Sequence, residues 1–103
     1  MTRNQNNTRM AKIINSDGSI QNVTPENNVD FSLTEIRNLI GDDDCLIELV
    51  YLHSTGDVIA FDENGKLKGL SINTEATRLF RKNHITMDFI CGNVLLCKET
   101  KIK

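Results

Sequence analysis

The chain has 103 residues, of which 39% are hydrophobic and 25% are charged, and its formal net charge is −2. These values are typical of a globular domain with one hydrophobic core, and no apolar stretch approaches the roughly 20 residues of a membrane-spanning helix. The small negative charge excludes both a general attraction to nucleic acid and an acidic mimic of DNA. We therefore expect a soluble, cytoplasmic protein that contacts no membrane and binds no free nucleic acid directly.

The cysteine pattern indicates an intracellular protein. Cys45, Cys91 and Cys97 are an odd number of cysteines in apolar stretches, which is typical of buried, reduced thiols. Cys91 and Cys97 are six residues apart, which fits neither a CxxC redox pair nor a zinc site. His53 and His84 have no Cys or acidic partner at ligand spacing. We expect neither a metal nor another cofactor.

The N-terminal part is predicted to be a short tail followed by a β-hairpin. Residues 1–9 are polar and lack hydrophobic periodicity, so we expect a disordered tail before a single domain over residues 10–103. Lys12–Asn15 and Ile20–Val23 flank Asp17-Gly18. This arrangement predicts a tight turn, because glycine readily adopts the positive φ that such a turn needs.

A helix is predicted from Ser32 to the residue before Gly41. Ser32 and Glu35 form the S-x-x-E pattern of a capping box, and Phe31 is placed to pack on Ile36. The apolar residues that follow recur at intervals of three and four, and Gly41 is expected to end the helix in the left-handed conformation. The resulting apolar stripe indicates a helix that packs on a sheet.

Three strands are predicted in the middle of the chain. The aliphatic segments Cys45–Leu52 and Asp57–Phe61 are expected to be central strands, with Glu48 facing solvent. Asn64-Gly65 is a candidate tight turn with glycine at positive φ. After it, Lys66–Leu70 alternates polar and apolar residues as a half-exposed strand does.

The C-terminal third is predicted to contain a second short helix and two strand segments. Asn73 or Thr74 can cap the helix. Its predicted apolar face consists of Ala76, Leu79 and Phe80. Residues 87–91 and 94–97 flank Gly92-Asn93, which indicates either a hairpin or one strand interrupted by a bulge.

The predicted order of elements, ββαβββαββ, has no helix after every strand, so a doubly wound parallel sheet is excluded. We predict an α+β fold, in which two short helices pack against a mainly antiparallel sheet.

Basic residues form the best candidate contact surface for a partner. They are Lys66, Lys68, Arg78, Arg81 and Lys82. The alternative interpretation is a solvated helix face, since runs of charge on helices usually have no other role.

Other polar motifs have simpler structural interpretations. Gly65–Gly69 has three residues between its glycines, whereas a phosphate loop needs four, followed by Lys and a hydroxyl residue. Asp42-Asp43-Asp44 follows a predicted helix and is typical of a solvated loop, although such acids can also bind a divalent cation. His53 and His84 are expected at the surface with no nucleophile beside them, so no catalytic residue is predicted.

Four motifs give the chain a resemblance to a known family. They are Leu33-x-x-Ile36-Arg-x-Leu39-Ile-Gly41, Ile47-Glu48, Asp62-Glu-Asn-Gly65-Lys-Leu-Lys-Gly69-Leu70-x-x-Asn73 and Asp88-Phe-Ile-Cys-Gly92-Asn-Val. With these motifs the chain resembles a family of small proteins from bacteria, plasmids and phages, a domain of unknown function numbered thirty-eight forty-six. The resemblance covers most of the chain beyond residue 10 and implies no catalytic residues.

The chain is also similar, in size and general appearance, to a small anti-CRISPR protein thought to inhibit the type II effector nuclease. Together the resemblances imply a phage- or mobile-element-encoded binding protein that inhibits a host defence system, with the type II CRISPR effector complex as its partner. The alternative is a small-molecule or nucleotide-binding accessory domain. Its ligand contacts would be Lys66, Lys68, Asn73 and Arg78. A blocking protein predicts an exposed face, whereas a ligand-binding domain predicts a concave site with convergent polar groups.

Overall fold

A computed structural model describes residues 11–103, which form a five-stranded antiparallel sheet with two helices. The strands are β1 (Ala11–Ile14), β2 (Ile20–Val23), β3 (Ile47–Leu52), β4 (Asp57–Asp62) and β5 (Val94–Lys98), and the helices are α1 (Leu33–Ile40) and α2 (Thr74–Asn83). A 3-10 helix, Glu99–Lys101, follows β5. The spatial order of the strands is β2-β1-β5-β4-β3. The expected tail, residues 1–9, and the expected domain start at Met10 lie outside the described residues.

The two helices cover opposite faces of the sheet. Neighbouring side chains of a strand point to opposite faces, and the central strand β5 makes the division clear. Leu95 packs in a buried cluster with Ile36 and Ile40 of α1. Val94 packs in a second cluster with Ala76 of α2. The predicted α+β class is therefore confirmed, with the sheet lying between the helices. Within residues 11–103, no helix combines the length and the apolar character needed to cross a membrane.

β1 and β2 form the predicted hairpin at Asp17-Gly18. The N–H of Asn15 donates to the Ser19 carbonyl oxygen at 2.9 Å, and the N–H of Gly18 donates to the Asn15 carbonyl oxygen at 2.9 Å. Gly18 has a φ of 95°, as the turn prediction requires. The Asp17 carboxylate accepts from the Ser19 N–H and hydroxyl and so fixes the turn further.

The predicted capping box of α1 is confirmed in its Ser32 bond, whereas the Glu35 carboxylate bonds to the preceding loop instead of to the Ser32 N–H. The Ser32 hydroxyl oxygen accepts from the Glu35 N–H at 3.1 Å. The Glu35 carboxylate accepts from the N–H of Glu26, at 2.6 Å, and thereby ties the preceding loop to the helix. Phe31 and Ile36 are both buried in the cluster between α1 and the sheet, as the sequence predicts.

Asn73 caps α2 and also joins it to the sheet. Its Oδ1 accepts from the Ala76 N–H at 3.0 Å, while its Nδ2 donates to the carbonyl oxygens of Ile14 and Gly92, both at 2.9 Å. The predicted apolar face of α2 packs against the sheet; it consists of Ala76, Leu79 and Phe80. The amide of Asn73 is buried and fully hydrogen-bonded, as buried polar groups generally are.

The prediction that both middle strands are central is wrong for β3. Among residues 11–103, β3 pairs with β4 alone and is an edge strand. β5 lies between β1 and β4, so the last strand of the chain is the central one. Glu48 of β3 is exposed, as predicted.

The predicted strand Lys66–Leu70 is instead part of a series of turns over residues 63–69. The Gly65 N–H donates to the Asp62 carbonyl oxygen and the Leu70 N–H to the Gly65 carbonyl oxygen, both at 3.0 Å. The Asp62 carboxylate also accepts from the Asn64 N–H at 2.9 Å. These local bonds replace strand pairing, although the sequence alternates as a strand does.

The predicted strand Met87–Cys91 is an extended segment, and within residues 11–103 it forms only an isolated bridge, between Cys91 and Ile72. Its backbone groups are hydrogen-bonded to side chains of α2. Arg81 Nε donates to the Asp88 carbonyl oxygen at 2.9 Å, and Thr77 Oγ1 accepts from the Ile90 N–H at 3.0 Å. The segment is therefore fastened to a helix rather than to a neighbouring strand. The following prediction, a strand at residues 94–97, is confirmed by β5.

Two glycines differ from their predicted roles. Gly41 ends α1 with a φ of −166°, which is extended rather than left-handed. Gly65 is not among the glycines with positive φ. A Cβ at Gly65 would lie 2.7 Å from the carbonyl oxygen of Cys91, closer than real Cβ contacts. Gly65 is thus required because the turn packs directly on the backbone of Cys91.

We expect Gly65→Val to lower the free energy of unfolding by about 1–3 kcal/mol, because the added side chain must displace backbone. Denaturant unfolding of the two proteins would measure the difference. Gly41→Ala is the matched control, since its Cβ would lie 3.6 Å from the nearest atom, an ordinary contact. Equal stability of Gly65→Val and wild type would contradict the close packing at Cys91.

Candidate functional site

The five predicted contact residues do not form one continuous surface. Arg78, Arg81 and Lys82 are exposed on α2. Lys66 lies beside the extended segment after α2 and pairs with Asp88. Lys68 belongs to a separate cleft between the 63–69 turns and the end of α1. The structure therefore groups Arg78, Arg81 and Lys82, places Lys66 next to them, and separates Lys68.

A groove runs along α2, and two of the predicted residues line it. We call it the α2 groove; its lining residues are Ile72, Thr74, Thr77, Arg78, Arg81 and Phe89. Its volume is about 460 Å³. α2 supplies one wall because Thr74, Arg78 and Arg81 recur at intervals of four and three and so share a helix face. Ile72 and Phe89 supply the opposite, apolar side.

Apolar side chains are exposed in and beside the α2 groove. The exposed fractions are 54% for Ile72, 83% for Met87 and 37% for Phe89, and Ile85 is fully exposed. Clustered exposed apolar residues with a polar rim are characteristic of interaction sites. Their exposure did not follow from the sequence, in which residues 87–91 are predicted to be a strand of the sheet. Ile85, Met87 and Phe89 alternate with Thr86 and Asp88, a pattern that fits a strand as well as an exposed segment.

Arg81 builds the groove rather than presenting a free charge. Its Nε donates to the carbonyl oxygen of Asp88 at 2.9 Å, and its second nitrogen donates to the carbonyl oxygen of Met87 at 2.8 Å. Two carbonyl groups that would otherwise need a strand partner are thereby satisfied. We infer from this contact that Arg81 holds Met87 and Phe89 in place beside α2.

Two more basic residues at the groove are paired. Arg78 donates to Glu75 through two nitrogens, at 2.9 and 2.6 Å. This pair raises the pKa of the Arg78 guanidinium and lowers the pKa of the Glu75 carboxyl. Lys66 pairs with Asp88 and lies 4.3 Å from the centre of the Phe89 ring. The hydrogen bond from Lys66 lowers the pKa of Asp88.

Within the part of the chain that the structure describes, Lys82 is the unpaired charge of this surface. Among the described residues, its side chain makes neither a hydrogen bond nor an ion pair. Residues 81–87, Lys82 among them, line a second, open depression of about 600 Å³. The two depressions share Arg81, so Lys82 lies at the end of a continuous surface.

Lys68 has a structural role in the 63–69 turns. Its Nζ lies 2.6 Å from Asp62 Oδ2 and 3.5 Å from Asp42 Oδ1. Burial by itself raises the pKa of Asp62, but the hydrogen bonds from Lys68 and from the N–H groups of Asn64 and Leu46 outweigh it. The pKa of Asp62 is therefore lowered, and its carboxylate stays ionised at neutral pH.

The four contacts proposed for a small ligand do not converge. Asn73 is 1% exposed and its amide is fully hydrogen-bonded within the fold. Lys66, Lys68 and Arg78 line three different depressions. Asn73 in particular is not available to a ligand, which corrects its predicted role in the alternative function.

The cysteines are free and buried, as predicted. Burial raises the pKa of the Cys45 thiol to about 11 and that of the Cys97 thiol to about 12. Both are therefore protonated and weakly nucleophilic at neutral pH. Within residues 11–103, no group of three potential metal ligands converges. The Asp42 carboxylate accepts from the Asp44 N–H and forms an ion pair with Lys68 at 3.5 Å.

The histidines lie at one end of the β3 edge. His53 is exposed, as predicted, whereas His84 is half-buried. His84 Nε2 is hydrogen-bonded to the Tyr51 carbonyl oxygen at 2.8 Å, and its ring lies 5.5 Å from that of His53 and 5.4 Å from that of Phe80. His84 therefore joins the end of α2 to β3.

We expect acid to lower the free energy of unfolding of the wild type more than that of Asp62→Asn. The folded pKa of Asp62 lies below its ordinary value of 3.8, so the ionised carboxylate stabilises the fold above that pH. This stabilisation is lost as the pH falls through the folded pKa. Unfolding free energies measured from neutral pH into the acid range should fall less steeply for Asp62→Asn.

Asp43→Asn is the matched control, since Asp43 is exposed and its side chain makes no hydrogen bond or ion pair with the described residues. It should follow the wild-type pH dependence. Identical acid slopes for Asp62→Asn and wild type would show that the Lys68–Asp62 pair does not stabilise the turns.

The comparisons with known proteins identify a family. A family model described as "Domain of unknown function (DUF3846)" matches residues 11–102. No curated protein and no solved structure matches the chain. The match includes every element of the sheet, both helices and the α2 groove. The chain therefore belongs to the DUF3846 family.

Proposed function

We propose that this protein is a phage- or mobile-element-encoded binding protein of the bacterial cytoplasm that inhibits a host defence system. Its target in this proposal is the type II CRISPR effector complex. It acts by covering a functional surface of that complex, without catalysis and without binding free nucleic acid. The family resemblances seen in the sequence supply this target, and the α2 groove supplies the contact surface.

The observation that carries the proposal is the exposed apolar surface in and beside the α2 groove. Met87 is 83% exposed and Ile72 is 54% exposed, and Phe89 lies between Lys66 and the groove. Burying such side chains against a partner releases roughly 25 cal/mol for each Å² of apolar area. Protein interfaces commonly have this arrangement, with apolar anchors at the centre and charges at the rim.

The charge of the surface favours an acidic partner. Arg78, Arg81 and Lys82 line its two depressions, and Glu75 pairs with Arg78. Three positive groups and one negative group leave a local charge of +2 on a chain whose net charge is −2. A local field of this kind orients an acidic protein surface during encounter, and its effect decreases with added salt.

The proposal is tested by adding the protein to a DNA-cleavage assay with guide-loaded type II effector nuclease. Wild type should inhibit at micromolar excess. Met87→Ser should weaken inhibition about tenfold, because it removes an apolar anchor worth roughly 1.4 kcal/mol. Lys82→Glu should weaken it about threefold to tenfold and reduce its salt dependence, because Lys82 is unpaired within the described chain.

Two exposed positions away from the groove provide matched controls. Leu33→Ser removes a 49% exposed apolar side chain from α1, on the opposite face of the sheet, and should leave inhibition unchanged. Lys103→Glu reverses an exposed charge beside Phe31 and should also have no effect. Absence of inhibition by wild type across several effector orthologues would overturn the proposed function. Inhibition that is insensitive to Met87→Ser and Lys82→Glu would exclude the surface beside the α2 groove, around Met87 and Lys82, as the interface.

A further inference from the structure

β3 has one edge without a strand partner in the described part of the chain. It is six residues long, and its sequence, Ile-Glu-Leu-Val-Tyr-Leu, contains one charge and no proline. An exposed edge of this kind is a template for pairing with another strand. The hydrogen-bonding groups at this edge decide which strand fits.

The hydrogen bonds at the two ends of β3 show which of its backbone groups point toward β4 and which point away from the sheet. The Leu46 carbonyl oxygen accepts from the Glu63 N–H at 2.8 Å, and the Leu52 carbonyl oxygen accepts from the Gly56 N–H at 2.9 Å. Both donors lie on the β4 side. Backbone groups alternate in direction along a strand, so the even-numbered residues face β4. The N–H and C=O groups of Ile47, Leu49 and Tyr51 therefore point away from the sheet.

Side chains cover both ends of this edge and leave its middle open. Arg37 Nε donates to the Cys45 carbonyl oxygen at 3.0 Å, and His84 Nε2 is hydrogen-bonded to the Tyr51 carbonyl oxygen at 2.8 Å. Between these two contacts, no described residue is hydrogen-bonded to the outward groups of Ile47 and Leu49 or to the Tyr51 N–H. The open part extends from Ile47 to the Tyr51 N–H.

We propose that a second copy of this chain occupies the open edge, with the two β3 strands antiparallel and a two-fold axis at Leu49. In this register each Leu49 N–H donates to the Leu49 carbonyl oxygen of the other copy. Each Tyr51 N–H donates to the Ile47 carbonyl oxygen of the other copy. All of these groups are open in the described chain. The Ile47 N–H reaches the Tyr51 carbonyl oxygen, which has a second lone pair beside the one used by His84.

Charge and the bonded Tyr51 carbonyl groups favour this register over the two registers shifted by one residue. An axis at Glu48 would place two carboxylates directly opposite each other, which is unfavourable. An axis at Val50 would place both Tyr51 carbonyl groups, already bonded to His84, in the two central pairs. With the axis at Leu49, Glu48 lies opposite Val50 of the other copy. The identical strands are therefore complementary to each other, as a two-fold interface requires.

The side chains on one face of β3 support the same pairing. Leu49 is 45% exposed and Tyr51 is 42% exposed, and both lie on the face that α1 covers only in part. In the proposed dimer, Leu49 lies opposite Leu49, and Tyr51 lies opposite Ile47. Aromatic and aliphatic pairs of this kind stabilise antiparallel strands. The dimer joins two five-stranded sheets into one continuous sheet, independently of any partner at the α2 groove.

The test is the mass in solution, measured by sedimentation equilibrium of the full chain from micromolar to millimolar concentration. Wild type should approach twice 11.6 kDa at the upper end. Leu49→Lys should remain monomeric there, because it places two ammonium groups opposite each other at the axis. Leu33→Lys, on α1, is the matched control and should dimerise like wild type. Circular dichroism would verify that each variant is folded.

Cysteine substitution tests the register separately. Directly opposite residues in a hydrogen-bonded pair have Cα atoms about 5.5 Å apart, within the range of a disulfide. Mild oxidation should therefore link Leu49→Cys into a covalent dimer, whereas Glu48→Cys should link poorly, since its counterpart lies diagonally at roughly 7–8 Å. A monomeric wild type at millimolar concentration would overturn the proposal. So would a dimer that persists in Leu49→Lys and links equally well through both cysteine variants.

Discussion

The buried side-chain amide of Asn73 joins parts of the fold that lie far apart in the sequence. It bonds to β1 through the Ile14 carbonyl oxygen, to the loop before β5 through the Gly92 carbonyl oxygen, and to the first turn of α2 through the Ala76 N–H. Replacing it with an apolar residue would leave three buried backbone groups without partners, each of which carries a large desolvation penalty. The position of α2, and hence of the groove beside it, depends on this amide.

Side-chain hydrogen bonds take the place of strand pairing in two segments around the site. The Asp62 carboxylate fixes the 63–69 turns by accepting from backbone N–H groups and from Lys68. Arg81 and Thr77 satisfy backbone groups of the extended segment after α2. These segments do not enter the sheet, and Leu67 and Met87 in them face solvent. The same contacts that stabilise the fold thus create the exposed apolar surface.

Much of the positive charge that the sequence offers is used within the molecule. Lys68 stabilises a turn, Arg81 positions a backbone segment, and Arg78 and Lys66 pair with neighbouring acids. Paired charges at a surface add little to association, whereas exposed apolar groups gain free energy when a partner covers them. We therefore expect apolar contacts, rather than charges, to contribute most of the free energy of association at the candidate interface, which has Lys82 at its rim. It also means that reversing Arg81 would change the shape of the groove as well as its charge.

The sequence by itself determined the local elements of this protein, including the hairpin at Gly18, the cap of α1 at Ser32 and the cap of α2 at Asn73. These signals act between residues a few positions apart, so composition and spacing are sufficient to read them. The tertiary structure alone decided that β3 is an edge strand, because β5 reaches its central place only through pairing with strands distant in the chain. It also decided that the segment around Met87 is exposed. An alternating sequence is compatible with a sheet strand, and only the bonds from α2 exclude that strand here.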